Sequence, residues 1–133
     1  MIGANAFSIR RRRTPTRLQH ETAECGVACL AMICAHHGLW LSIEELREVA
    51  GVNRDGTKAS ALVKAAARYG LAGRGLSCEP DHLRDLPLPA VLFWNFNHYV
   101  VLEQIDRRSA FINDPALGPR RLPTRERRSL QSM

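Results

Sequence analysis

A cysteine at the start of an apolar helical run, as in Thr22-Ala-Glu-Cys25-Gly26-Val-Ala-Cys29-Leu30, can act as a nucleophile if its thiol ionises. The free N–H groups and positive dipole end of a helix N-terminus favour an anion and so lower a thiol pKa. Cysteine is also a common buried residue, so Cys25 taken alone reads as a small core side chain too. Cys29 and Cys34, inside the same run, read as core. A thiolate nucleophile needs a base that takes and returns protons. His36 and His37 lie at the far end of the run, roughly 17 Å from Cys25, which is out of reach. His20 and His82 stand in loop or helix-start contexts with no other signal. His98 differs, because it opens the strongly apolar stretch Tyr99-Val-Val-Leu102 and follows Phe93-Trp-Asn-Phe-Asn97, aromatics that can exclude water.

Sixteen residues after His98 comes Asn113-Asp114-Pro115. If both segments are strands joined by a short turn, the start of one lies beside the end of the other. His98 and Asp114 are then neighbours, and a carboxylate that orients an imidazole completes a Cys–His–Asp arrangement. Asp-Pro is equally a turn starter. Gln19, six residues before Cys25, can donate its amide N–H to an oxyanion alongside the Cys25 backbone N–H. Alone it would mean little.

These residues need elements to hold them. The spacing predicts a helix over Cys25–His37, capped by Thr22 or Glu24, stopped by Gly38, and apolar nearly all round, as a central helix must be. Ser42-Ile-Glu-Glu45 is a capping box for a second helix over Ile43–Ala50, stopped by Gly51. Thr57 is expected to cap a third over Lys58–Tyr69 that ends at Gly70. Strands follow: Leu71–Cys78, Ala90–Trp94, His98–Glu103, Ser109–Asn113 and a short edge over Arg120–Pro123, with a helical turn at Asp81–Asp85 and a hairpin turn at Asp106–Arg108. Helices first and antiparallel strands afterwards give an α+β fold, the central helix packed on the sheet.

The charge is uneven. Residues 1–17 and 120–133 together hold ten arginines against Glu126, whereas residues 18–119 hold nine basic and twelve acidic groups. The basicity belongs to the ends, which sets the chain apart from a nucleic-acid domain with a basic folded face. The four cysteines form no paired ligand spacing of the zinc kind, and an apolar signal segment is missing, so free thiols in a reducing compartment are expected. Cys25 to Ile43 runs nineteen residues without a charge, but His36, His37 and Gly38 make it a core helix rather than a membrane span.

Gln19-x5-Cys25-Gly26 leading into Ala28-Cys-Leu-Ala-Met32, then Pro89-Ala-Val-Leu92, Asn97-His98-Tyr-Val-Val-Leu102 and Asp114-Pro115, resembles the double-glycine leader peptidase domain. That papain-like cysteine peptidase is the N-terminal cytosolic part of ABC transporters exporting bacteriocins and related peptides. The resemblance spans about Thr16 to Pro123, and Phe93–Asn97 is most similar to the branch exporting peptides with nitrile-hydratase-type leaders. It implies a papain-like α+β fold and cleavage after a Gly-Gly or Gly-Ala pair, with no cofactor or metal. Cys25 is then the nucleophile, His98 base and acid, Asp114 its orienting group, and Gln19 with Cys25 the oxyanion hole. The implied partners are a leader-bearing precursor peptide and the transmembrane and ATPase domains of a parent transporter. The implied place is the cytoplasmic face of the inner membrane, with the isolated domain soluble.

On this reading residues 1–15 are a basic flexible arm, 16–124 the peptidase, and 125–133 a basic tail leading towards a transmembrane region. The chain would be part of a longer transporter, its basic ends near anionic headgroups. Two rivals remain. One is a catalytically silent leader-docking module, against which Cys25, His98 and Asp114 all stand. The other is a non-specific nucleic-acid binder using the arginine arms, for which the core offers no groove-reading helix or stacking strip.

Overall fold

Burial follows the sequence pattern closely in the first helix. Ten of the twelve residues of Cys25–His36 (α1) are buried, so this helix has no solvent face of its own and must be enclosed. Ile43–Ala50 (α2) begins where Ser42 Oγ accepts the Glu45 N–H (3.0 Å) and ends at Gly51, whose φ of +73° is a conformation glycine adopts without strain. Ala59–Arg68 (α3) buries Leu62, Ala65 and Ala66. Its N-cap is Lys58, not Thr57, and the Thr57 hydroxyl is buried without a partner. The computed structural model describes residues 13–54, 56–73, 75, 80–94, 98–123 and 130–132.

Ala90–Trp94 (β1), His98–Ile105 (β2), Ser109–Asp114 (β3), Gly118–Pro123 (β4) and Leu130–Ser132 (β5) form one antiparallel sheet in the order β4-β3-β2-β1-β5. β5 extends the sheet past the boundary expected at residue 124. Residues 71–73 and 75 are not strand, and the rest of the expected Leu71–Cys78 strand lies outside the described residues. The helical turn expected at Asp81–Asp85 is a 3-10 turn over Pro80–Asp85.

The sheet is buried on both faces. Along β2 the side chains alternate: Tyr99 and Val101 join the helical core around α1, while Val100 and Leu102 join a second cluster with Leu92, Ala110, Ile112 and Leu122. Leu83 of the 3-10 turn, with Leu86 and Leu88, covers that second cluster. The expected packing of α1 on the sheet therefore holds, with an additional layer behind it.

The register shifts between Leu102 and Gln104, leaving Glu103 out of the ladder. Its buried carboxylate accepts the Thr14 N–H (2.6 Å) and hydroxyl (2.9 Å). Asn113 Nδ2 donates to the Thr14 carbonyl (3.1 Å) and the Thr16 hydroxyl (3.2 Å). Residues 13–15 were expected in a flexible arm. Instead Thr14 is buried and the segment from Thr14 to Gln19 is strapped along β2 and β3, ending where the Gln19 N–H meets the Pro115 carbonyl (2.9 Å). Residues 1–12 and 124–129 lie outside the described residues.

Candidate active site

Cys25 is the first residue of α1 and only 7% exposed. Gly26 follows because α1 passes close to β2 there. A Cβ at residue 26 would meet Leu62 Cδ1 and Tyr99 Cδ2 at 3.2 Å, close enough that a neighbour would have to give by a few tenths of an ångström. Tyr99 has little room to yield, since its hydroxyl donates to the Thr57 carbonyl (2.9 Å) and its ring packs on Phe93 with centroids 4.9 Å apart. The missing side chain thus lets the helix start sit against the strand that carries His98.

The last ladder pair between β2 and β3 at this end is Val101 with Asn113. Beyond it the strand ends meet through side chains, His98 Nε2 lying 2.7 Å from Asp114 Oδ1. That contact leaves Nδ1 for Cys25, whose thiol lies near enough to His98 for the two to shift each other's titration. Asp114 also does what an Asp-Pro turn starter does, its Oδ1 accepting the Ala116 N–H (2.8 Å). Arg120 Nη1 on β4 stands 3.5 Å from Asp114 Oδ2.

The charges reinforce one another. Burial pushes the Cys25 thiol up, but hydrogen bonding to His98 and to the backbone of Tyr99 and Gly26, with the charge of His98, brings it below the ordinary thiol range. The Asp114 hydrogen bond, and then that of Cys25, raise His98 from 6.5 to about 9 against the effect of burial. Burial would raise Asp114, but His98, the Ala116 N–H and Arg120 hold it below the usual carboxylate range. The shifts of Cys25 and His98 both favour a thiolate beside an imidazolium that is itself anchored by a carboxylate. Such a group can attack a carbonyl and hand a proton to the leaving amine. Cys29, wholly buried on the same helix, is pushed well above the usual thiol range by burial, with the charges of Cys25 and Asp114 adding to it.

The structure therefore brings Cys25, His98 and Asp114 together. Gln19 is tied to the residue after Asp114 through its backbone. Its Nε2 donates to the carbonyls of Glu21 (3.1 Å) and Thr22 (3.5 Å), and its Oε1 is buried without a partner. Asn97 and the Trp94 side chain, part of the expected aromatic crowding, lie outside what the structure describes. Sequence reasoning missed Arg120 and the environment of Glu24, because both contacts join distant segments and neither residue carries a local signal. Among the described residues no cluster of three His, Cys, Asp or Glu side chains could hold a metal ion.

A cleft of about 770 Å³ runs from Leu30 and Ile33 of α1 between Leu62 and Ala66 of α3 and the segment Leu86–Val91. It starts little more than one helical turn from Cys25 and its walls are mainly apolar.

The sequence profile of the peptidase C39 family matches residues 13–129. A probable microcin-H47 secretion/processing ATP-binding protein of Escherichia coli is 41% identical over 116 residues, which cover 87% of this chain and 17% of that protein. A lactococcin-G-processing and transport ATP-binding protein of Lactococcus lactis is 34% identical over 106 residues, covering 75% of this chain and 15% of the relative. The chain thus spans under a fifth of the length of these curated relatives. A double glycine motif protease from an AMS/PCAT transporter, solved in complex with the leader peptide, superposes with a TM-score of 0.86 at 38% identity, over 95% of this chain and 96% of that one. The peptidase domain of Streptococcus ComA, described as a bifunctional ABC transporter involved in quorum sensing, gives 0.80 at 26% identity, over 91% and 97%.

Proposed function

Since the chain belongs to the peptidase C39 family of cysteine peptidases, we propose that it removes the leader of a ribosomally made, bacteriocin-like peptide by cutting after a Gly-Gly or Gly-Ala pair. The observation that carries this reading is the grouping of Cys25 with the hydrogen-bonded pair His98–Asp114 at the start of α1, the helix that farther along contributes Leu30 and Ile33 to an apolar cleft.

The Cys25 thiolate attacks the carbonyl carbon of the second small residue. The oxyanion so formed accepts from the Cys25 backbone N–H and from Gln19 Nε2, one hydrogen of which turns to it from the Thr22 carbonyl, the longer of its two contacts at 3.5 Å. The His98 imidazolium passes its proton to the leaving amine, and the C–N bond breaks to leave a thioester on Cys25. Neutral His98 then takes a proton from water, which attacks the thioester and releases the leader. Asp114 fixes the ring so that Nδ1 faces sulfur throughout.

The cleft suits an amphipathic leader helix. Its apolar face would lie on Leu30, Ile33, Leu62, Ala66 and Leu86, and its end would then reach Cys25 with the two glycines extended. The relatives' names support coupling to export, with transmembrane and ATPase segments of a transporter as partners and the cytoplasmic membrane face as the place of action. Among the described residues no helix is long and apolar enough to cross a membrane. The arginines at the two ends suit anionic headgroups.

Mass spectrometry of a synthetic leader–core peptide incubated with the protein under reducing conditions tests the reading, beside a Cys25→Ala control. A cut directly after the glycine pair, lost in the control, is expected. Intact peptide that remains bound would overturn catalysis in favour of a docking module.

A further inference from the structure

Glu24 immediately precedes the nucleophile, is 2% exposed, and has no part in the chemistry above. A buried carboxylate there needs a reason. Its charge has the wrong sign to favour a thiolate on the next residue, and burying it unpaired would be costly. Arg47 of α2 neutralises it, Nη1 to Oε2 at 2.9 Å, while also lying 3.4 Å from Glu21. The other oxygen, Oε1, accepts two backbone N–H groups, those of His20 (2.8 Å) and Glu21 (2.9 Å). Burial pushes the Glu24 carboxyl up, but these two N–H groups and Arg47 outweigh it and keep the group ionised.

Those two N–H groups belong to the residues directly after Gln19. The Gln19 side chain is in turn bonded to the carbonyls of Glu21 and Thr22, and its own N–H to Pro115 beside Asp114. The turn Gln19–Glu21 is therefore closed around Oε1 of Glu24. At its other end the strap is held through Thr14 and Thr16, and the Arg13 carbonyl lies 3.2 Å from His36 Nδ1. We propose that Glu24 is a positioning residue of the cleavage reaction, acting through Gln19 by folding the turn that presents its amide to the oxyanion formed at Cys25. This rests on the reading of Gln19 as an oxyanion donor. The two N–H groups need an acceptor at the reach of a glutamate side chain, whether or not it is charged.

That requirement sets the order of two conservative variants. Glu24→Gln keeps an acceptor oxygen at the same reach and loses the charge. Glu24→Asp keeps the charge and draws the oxygen back by one methylene. Each would be measured in the full chain for kcat and KM on a double-glycine leader peptide, for the alkylation rate of Cys25 by iodoacetamide, and for thermal unfolding. Alkylation reports the thiolate but forms no oxyanion. The expected result is Glu24→Gln within about threefold of wild-type kcat and Glu24→Asp lower by 10- to 100-fold. KM and alkylation stay within about twofold in both, because only a group acting on the transition state alters kcat alone.

Gln19→Ala separates this inference from the reading beneath it. It should lose kcat at least as strongly as Glu24→Asp, and the double variant should fall no further, as residues acting through one another do. If Gln19→Ala loses kcat but Glu24→Asp keeps it, the positioning role is overturned while the oxyanion role stands. Full kcat in Gln19→Ala overturns both. The reversed order, with Glu24→Gln weaker than Glu24→Asp, or alkylation falling in step with kcat, would assign Glu24 to charge balance or to the thiol and sink the proposal.

Discussion

Asp114→Asn removes one charge while nearly conserving shape, and its effect can be worked from the contacts. Asp114 Oδ1 lies 2.7 Å from His98 Nε2 and is the largest cause of the rise of His98 from 6.5 to about 9. That rise corresponds to about 3 kcal/mol of preference for the imidazolium. Cys25 supplies the lesser share, and burial opposes both. The variant also puts a neutral amide in place of the carboxylate 3.5 Å from Arg120. His98 should therefore return to about 6.5 or below. At pH 7.5 the imidazolium is then the minor form of His98, the Cys25 thiolate loses the charge that favours it, and kcat/KM should fall by about 100-fold or more. The assay is kcat/KM on a leader peptide from pH 5 to 10, with iodoacetamide alkylation alongside. In the wild type the alkaline limb should lie near pH 9, where His98 loses its proton. In the variant it should move below about pH 7. Stability follows the same linkage: a raised histidine stabilises the fold fully below about pH 6.5 and loses that contribution as pH rises through about 9. The wild type's advantage in Tm over the variant should thus be largest between about pH 5 and 6.5 and shrink by pH 9.5. An alkaline limb that stays near pH 9 in Asp114→Asn would refute the assignment.

Gly26→Ala should cut kcat several-fold with little change in Tm: the contacts at 3.2 Å displace the start of α1, while about 1 kcal/mol of helix propensity offsets the crowding. Unchanged kcat would show that Tyr99 and Leu62 yield freely. Val63→Glu, at a half-buried position in the cleft wall, should raise KM for a full-length leader by about tenfold while leaving kcat, and KM for a leader-less glycine peptide, unaltered. Equal loss on both peptides would place the leader elsewhere. Ser42→Ala removes the acceptor for Glu45 N–H and should cost about 1 kcal/mol, read as a Tm lower by a few degrees with normal kcat, because this cap lies outside the site.

Where local chemistry decides, the sequence was readable. Ser42 and Gly51 bound α2 as their types require, and the apolar run from His98 with Asp106–Arg108 defines the β2–β3 hairpin and so the meeting of His98 with Asp114. Where a partner far along the chain decides, it was not. Thr14 among arginines looked like a solvated arm, yet its partner Glu103 is 89 residues away and is freed for it by a register shift no pattern announces. Leu130-Gln-Ser132 is too short to carry strand periodicity and is a strand only because the edge of β1 is open to it. Thr57 has the right type for a cap, but the helix begins one residue later, with Lys58 as N-cap. Glu24 was visible as a possible cap of α1. Its side chain instead serves the turn before the helix and Arg47 beyond it.

The central claim is that Cys25, and no other thiol, attacks the carbonyl after a pair of small residues. A leader peptide ending in Gly-Gly-chloromethyl ketone tests it most directly, since the attacking sulfur displaces chloride to form a thioether that survives digestion and peptide mapping. One adduct on Cys25, absent in Cys25→Ala and weakened in His98→Ala, is the predicted result. An adduct on Cys29, Cys34 or Cys78, or none at a concentration where the leader binds, would contradict the account.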